Sequence, residues 1–207
     1  MKTIEFWFEF ASPYSYLAAA RIGELGRAAG VDVVWRPFLL GPIFAARGWS
    51  DSPFVLFADK GRHMWRDIER EAERLRVPFR RPAIFPVRSI LAARVALVGV
   101  DEGFVEPFAR AAFAAHFVRD EDLAQPEVVD ALLATLGRDG AAVRARATTP
   151  AVKARLRGEV ERAQQLGIFG APSFIVGGRS GGELFWGNDR LERALEWAQR
   201  RELTEPT

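Results

Sequence analysis

Ser12 is the residue best placed to do chemistry. It follows a run of alternating apolar residues and precedes Pro13 and a helical repeat, so its hydroxyl sits where a strand hands over to a helix. A hydroxyl there can cap the helix, and it can also hold an anion that the unpaired N–H groups of the first turn attract. A second candidate lies in Gly170-Ala171-Pro172-Ser173-Phe174, where Pro172 enters a strand-like run and supplies no ladder donor. Asn188 or Asp189 is placed to cap the last helix. The chain has no cysteine, so it forms no disulfide, thiolate metal site or redox pair of its own, and any sulfur chemistry must use a borrowed thiol. His63 and His116 lie in helical segments without partners at metal spacing, so no metal site is expected.

The 207 residues are 49% hydrophobic and 27% charged, enough for a large buried core. No apolar run approaches the ~18 residues of a membrane span, and the N-terminus lacks the apolar core of a secretory signal. A soluble protein of the cytoplasm is the expectation. The pI near 9.4 looks basic, yet the net charge is only +2 and the arginines are interleaved with Glu and Asp along helices. That balance gives nucleic acid little to bind and suits a small anionic ligand held by a few local donors.

These residues need elements to position them. Ile4, Phe6, Phe8 and Phe10 alternate with Glu5, Trp7 and Glu9, the period of a strand with at least one buried face. From Ser12-Pro13 onward, Leu17, Ala18, Ile22 and Leu25 follow at helical spacing until Gly30. Val31 to Phe38 returns as a strand, which makes a βαβ unit with parallel strands and a right-handed crossover. Pro53 to Gly167 is helical in period, with helix starts at Ser89, at Glu106-Pro107 and at Thr149-Pro150. Within it, Arg66 to Arg76 reads as a solvated helix face with charge pairs three and four apart. Ser173 to Val176, the Gly177-Gly178 turn and Glu183 to Trp186 read as an antiparallel hairpin, and Leu191, Ala194, Leu195 and Ala198 mark a closing amphipathic helix.

A β-α-β start, a helical interruption and a β-β-α finish describe an α/β, thioredoxin-like fold with a large all-helical insertion. The thioredoxin-like domain is split between 1–48 and 168–207, and the inserted helical domain takes 49–167. In that fold a proline at the position of Pro172 is cis and faces Ser12, which leaves the Ala171 backbone to pair with an extended peptide. The alternative is a trans proline on an edge strand.

Five segments carry a closer resemblance: Phe8 to Ala18 (FEFASPYSYLA), Trp35 to Phe44 (WRPFLLGPIF), Lys60 to Asp67 (KGRHMWRD), Gly167 to Phe174 (GIFGAPSF) and Phe185 to Arg190 (FWGNDR). In this order they resemble the 2-hydroxychromene-2-carboxylate isomerases, relatives of kappa-class glutathione transferases and, more distantly, of DsbA oxidoreductases. The resemblance implies an isomerase that uses glutathione as a cofactor to interconvert 2-hydroxychromene-2-carboxylate and trans-o-hydroxybenzylidenepyruvate in aromatic hydrocarbon breakdown. It makes Ser12 the catalytic residue. It gives the cysteinyl part of glutathione to Ala171 and Pro172, the γ-glutamyl end to Asn188 and Asp189, and further contacts to Lys60, Asp51 and Ser52. It also implies a homodimer.

The energetics suit that role. Lowering a thiol pKa of about 8.5 by about 2 units requires ~2.7 kcal/mol of preferential thiolate stabilisation. A hydroxyl donating to an anion gives ~1.5–3 kcal/mol and a helix N-terminus ~0.3–1 kcal/mol. Ser12 as an ordinary cap stays open beside the catalytic reading. Trp49, Phe54, Trp65 and Phe85 are candidates for an apolar wall around an aromatic substrate, or for core packing. Relatives often carry Asn where this chain has Arg88 and Ser50. An arginine there could recognise a pyruvate-type carboxylate or signal a different acid. A kappa-like transferase or peroxidase, and a non-catalytic binding module, are the alternative functions.

Overall fold

The computed structural model describes residues 2–177 and 182–200. Strand β1 (Thr3–Phe8) leads through a tight turn into α1 (Pro13–Ala29), and β2 (Asp32–Pro37) returns parallel to β1, with Phe6 opposite Trp35. The helices α2 (Leu40–Ala45), α3 (Pro53–Leu56), α4 (Ala58–Leu75), α5 (Ile90–Glu102), α6 (Val105–Phe117), α7 (Pro126–Thr135), α8 (Gly140–Ala147) and α9 (Pro150–Gln165) follow. Then β3 (Ser173–Val176) and β4 (Glu183–Trp186) close the sheet, and a 3-10 turn at Asn188–Arg190 leads into α10 (Leu191–Arg200). The sheet order is β2-β1-β3-β4, with β3 antiparallel to both of its neighbours. This is the expected thioredoxin-like arrangement, its halves separated by helices.

Several boundaries differ from the sequence reading. A helix that the sequence reading did not give, α2, precedes Pro53, and its Leu40 and Ile43 pack under the sheet with Trp7 and Phe38. α6 starts at Val105, so Glu106 and Pro107 lie inside its first turn, where a proline costs no hydrogen bond. Within the expected hairpin turn, Gly178 lies outside the described residues. The β1 alternation proved to be a strand covered on both faces. Ile4, Phe6 and Phe8 enter the core shared with α1, α10 and the inserted helices, while Trp7 enters a second cluster with Ile43, Val160, Ala163 and Ile175.

Phe8 at the end of β1 and Phe10 just beyond it also join the insert to the sheet. Phe8 meets Phe113 at 5.9 Å between ring centroids, and Phe10 meets Phe113 at 5.0 Å and Phe108 at 6.2 Å. These contacts fix α6 over α1 and hold the insert against the carboxyl end of β1, where Ser12 lies. On α4 the expected charge pairs form at Arg66–Glu69, Arg70–Asp67 and Arg74–Glu71, and the opposite face buries Met64, Trp65 and Ile68.

Candidate functional site

Ser12 stands at the turn between β1 and α1 with an extended backbone (φ −89°, ψ 114°), followed by Pro13 in the first helical position. Its N–H donates to the Glu9 carbonyl at 3.0 Å. Its hydroxyl accepts from the Ser15 N–H at 3.1 Å, which caps α1, and donates to the Ala171 carbonyl at 2.8 Å. One side chain therefore both caps α1 and joins the two sequence halves of the thioredoxin-like domain. No acidic residue lies in the first turn of α1, so the positive end of the helix is not neutralised by its own side chains.

The Ala171–Pro172 bond is cis, as expected, and so is Phe85–Pro86. Pro172 accepts from the Gly187 N–H at 3.0 Å, which joins this segment to the start of the last helix. Gly170 leaves room for a close approach: a Cβ there would lie 2.3 Å from the Trp186 indole nitrogen and would push that ring aside. Trp186 is 52% exposed and meets Phe169 at 4.7 Å, and the Arg47 guanidinium lies 5.7 Å over the Phe169 ring. Ser12, Ala171, Pro172 and the 187–189 segment thus come together although 159 residues separate Ser12 from Ala171.

Asn188 does not cap α10. Gly187, at φ 110°, opens the 3-10 turn, and no side chain caps it. Instead Asn188 is 3% exposed and its side-chain oxygen accepts from Arg21 of α1 at 2.9 Å. Arg21 also pairs with Glu192, so it is anchored from both ends. With the oxygen occupied, the amide NH2 is the group left to donate outward. Asp189 is exposed and accepts from Arg190 at 2.6 Å. Tyr14, two residues beyond Ser12, donates to Asp67 at 2.9 Å. Burial, then the bond to Asp67 and its charge, push the Tyr14 hydroxyl far above its ordinary range, and Asp189 adds to the effect. The start of α10 and the start of α1 therefore share one electrostatic neighbourhood.

The remaining candidates lie apart from the Ser12–Ala171 contact. Ser52 accepts from the Phe54 N–H at 3.3 Å and so caps α3, while Asp51 accepts from the Ser52 N–H at 2.6 Å. Lys60 lies 4.8 Å over Phe57, which meets Trp49 at 6.5 Å. Phe54 reaches toward the Ser12 turn through Tyr14, at 6.5 Å. Phe85 meets Trp65 at 4.8 Å, and both pack on the main core. Arg88 is exposed, between buried Val87 and buried Ser89. No direct contact joins Lys60, Asp51, Ser52, Trp49, Phe85 or Arg88 to Ser12 or Ala171 among the described residues.

Two residues were missed from the sequence. Arg21 looks like any arginine on a helix, and only the fold brings it to Asn188. Glu9 reads as the polar face of a strand, yet it is 5% exposed and accepts from the N–H groups of Ala11 (3.3 Å) and Leu40 (3.0 Å) and from the Ser89 hydroxyl. Burial pushes its carboxyl above the usual range, and the bonds from Ser89, Leu40, Ala11 and Phe10 pull the other way. Its position directly before the Ser12 turn, between two phenylalanines, is the one sequence signal that sets it apart.

A family model for the DSBA-like thioredoxin domain matches residues 3–197. The 2-hydroxychromene-2-carboxylate isomerase of Sphingobium xenophagum is 31% identical over 92% of this chain and 95% of its own length. Glutathione S-transferase kappa 1 of Homo sapiens is 24% identical over 92% of this chain and 88% of its own. A solved 2-hydroxychromene-2-carboxylate isomerase superposes with a TM-score of 0.82 at 23% identity, covering 99% of this chain and all of the other. With a family model spanning both halves of the sheet and the insert between them, the chain belongs to the DSBA-like thioredoxin family, in the branch of the 2-hydroxychromene-2-carboxylate isomerases.

Proposed function

We propose that the protein is a glutathione-dependent isomerase of the cytoplasm that interconverts 2-hydroxychromene-2-carboxylate and trans-o-hydroxybenzylidenepyruvate in aromatic hydrocarbon catabolism. One observation carries the reading: the Ser12 hydroxyl, at the start of α1, lies 2.8 Å from the Ala171 carbonyl beside a cis proline. The 31% identity to an isomerase of that name supports the reaction.

The residues present fit glutathione. The Asn188 amide, its oxygen held by Arg21, has its NH2 for the γ-glutamyl carboxylate, and the exposed Asp189 carboxylate suits the ammonium. The Ala171 backbone is placed to pair with the cysteinyl unit. When bound, glutathione would supply a thiolate nucleophile that the isomerisation regenerates, so that it is not consumed. The Ser12 hydroxyl, which now donates to the Ala171 carbonyl, would instead donate to the sulfur and, with the helix end, would stabilise the anion. Phe54, Trp49 and Phe85 line the aromatic part of the substrate, Arg88 pairs with its carboxylate, and Lys60, Asp51 and Ser52 border the glutathione.

The kappa-class relative, at 24% identity, supports a second reading in which the same thiolate attacks an electrophile and glutathione is consumed. Following free thiol while the protein acts on hydroxychromene-carboxylate, and separately on a halogenated nitroaromatic, separates the two. Isomerisation at constant thiol is the expected result. Thiol loss with the nitroaromatic and no isomerisation would replace it with the transferase. No activity on either, unaltered by Ser12→Ala, would leave a binding module.

A further inference from the structure

Two helices beside the sulfur site begin without a cap of their own. The residue before α2, Leu39, has no side-chain cap, and neither does α5, although the residue before it is a serine. Glu9 receives the donor from both. Its Oε2 accepts from the Leu40 N–H at 3.0 Å, in the first turn of α2, and its Oε1 accepts from the Ser89 hydroxyl at the start of α5. The same Oε1 accepts from the Ala11 N–H at 3.3 Å, and the Glu9 carbonyl accepts from the Ser12 N–H at 3.0 Å. The Glu9 N–H points to the Ser15 hydroxyl at 3.5 Å, at the first turn of α1. Among the described residues no ion pair reaches this carboxyl. It is therefore not a counter-charge for a basic side chain, and everything that holds it is a donor on a segment bordering the site.

We infer that Glu9 is the positioning residue of the sulfur site: one buried carboxyl ties the turn that carries Ser12 to the starts of α2 and α5, and so sets where the Ser12 hydroxyl points. What Ser12 is positioned for rests on the glutathione reading; the tie itself does not. A buried carboxyl with three donors from three segments is costly to bury and costly to break, so it is well suited to hold loops that lack other anchors. It also couples the insert, through Ser89, to the geometry at Ser12.

The test uses Glu9→Ala, Glu9→Gln and Ser89→Ala, read by two measurements. The first is the apparent pKa of glutathione bound to the protein, from the ultraviolet absorbance of its thiolate across a pH series. The second is backbone hydrogen exchange in peptides covering residues 10–17, 39–45 and 4–8. Glu9→Ala is expected to reduce the bound thiolate-to-thiol ratio about tenfold, a rise of about one pH unit in the thiol pKa. Glu9→Gln, which keeps one acceptor, and Ser89→Ala are expected to do the same to a smaller extent. In a Ser12→Ala background Glu9→Ala should add nothing, because the effect runs through the serine. Exchange should quicken together in 10–17 and 39–45 while 4–8 stays protected.

A thiol pKa that is unchanged or lowered by Glu9→Ala, or a rise that persists without the Ser12 hydroxyl, overturns the proposal. If Glu9→Ala does not fold, the two milder variants decide. If the unaltered protein does not lower the thiol pKa at all, the glutathione reading fails by itself, and the positioning role stands or falls on whether Glu9→Gln loosens 10–17 and 39–45 together.

Discussion

The Ser12 hydroxyl donates to the Ala171 carbonyl at 2.8 Å, so a sulfur anion can take that proton only by displacing an existing bond. The gain is a difference: a hydrogen bond to a charged group contributes about 1.5–3 kcal/mol, and the neutral bond it replaces about 0.5–1.5 kcal/mol. Ser12→Ala is therefore expected to cost about 1–2 kcal/mol of thiolate stabilisation, a factor of roughly 5–30 in turnover at neutral pH. The helix end and the proposed glutathione contacts of Asn188 and Asp189 would remain, so binding should weaken far less than turnover, and steady-state kinetics can separate the two. A second residue carries a prediction unrelated to catalysis. His116 is buried, and burial pushes its imidazole below its ordinary value against the weaker pull of the bond it makes to the Glu121 carbonyl. A histidine whose pKa is lowered on folding binds more protons when unfolded, so stability falls as pH drops from about 6.5 through the folded value. His116→Gln is expected to flatten that decline, measured as the urea midpoint across a mildly acidic series.

At the scale of elements, the parts of the fold legible in the sequence are those fixed by local rules. The Ser12-Pro13 start of α1, the Thr149-Pro150 start of α9 and the apolar stripe of α10 at Leu191, Ala194, Leu195 and Ala198 all stand where period and capping put them. The cis Ala171–Pro172 bond and its meeting with Ser12 followed from the fold as a whole. What was not legible depends on partners far away in sequence. Glu9 alternates like an exposed strand residue but is buried because α2 and α5 cover the turn. Asn188 has the side chain of a helix cap but is held by Arg21, and the cap position falls to Gly187. That glycine carries an element-scale prediction. At φ 110° a side chain is strained, and a Cβ would also lie 2.5 Å from the Asp189 carboxylate. Gly187→Ala should cost roughly 1–3 kcal/mol and shift the 3-10 turn that presents Asn188 and Asp189. Glutathione affinity should drop while the pKa of whatever thiol still binds stays near that of the unaltered protein, since Ser12 and α1 are untouched. Isothermal titration together with the thiolate absorbance would show whether the two ends of the site separate in this way.

At the scale of the molecule, the insert and the sheet share one aromatic core, with Phe8 and Phe10 packed on Phe108 and Phe113. The site lies along that seam: Ser12 follows the strand that supplies those rings, Ser89 opens a helix of the insert, and Ala171 resumes the sheet after it. Some apolar surface is left uncovered, at Val55, Leu56 and Phe57 of the insert and at Ile84 and Ile90. The family resemblance makes a homodimer the natural proposal for such surface, and light scattering should give twice the chain mass. A ligand that binds between segments far apart in sequence has no binding site once the chain unfolds, so its free energy adds to that of folding. At a hundred times its dissociation constant glutathione should contribute about 2.7 kcal/mol, which for a chain of this size raises the melting temperature by roughly 5–10 °C. Ser12→Ala should keep most of that rise, because the proposed γ-glutamyl and backbone contacts would persist, whereas Gly187→Ala should lose most of it. Calorimetry with glutathione, and with S-methylglutathione, which cannot form the thiolate, would separate the sulfur's share from that of the peptide. A rise that is the same for both ligands would mean that the tripeptide is held without its sulfur being ionised, and the thiolate role of Ser12 would then be excluded while the binding site stood.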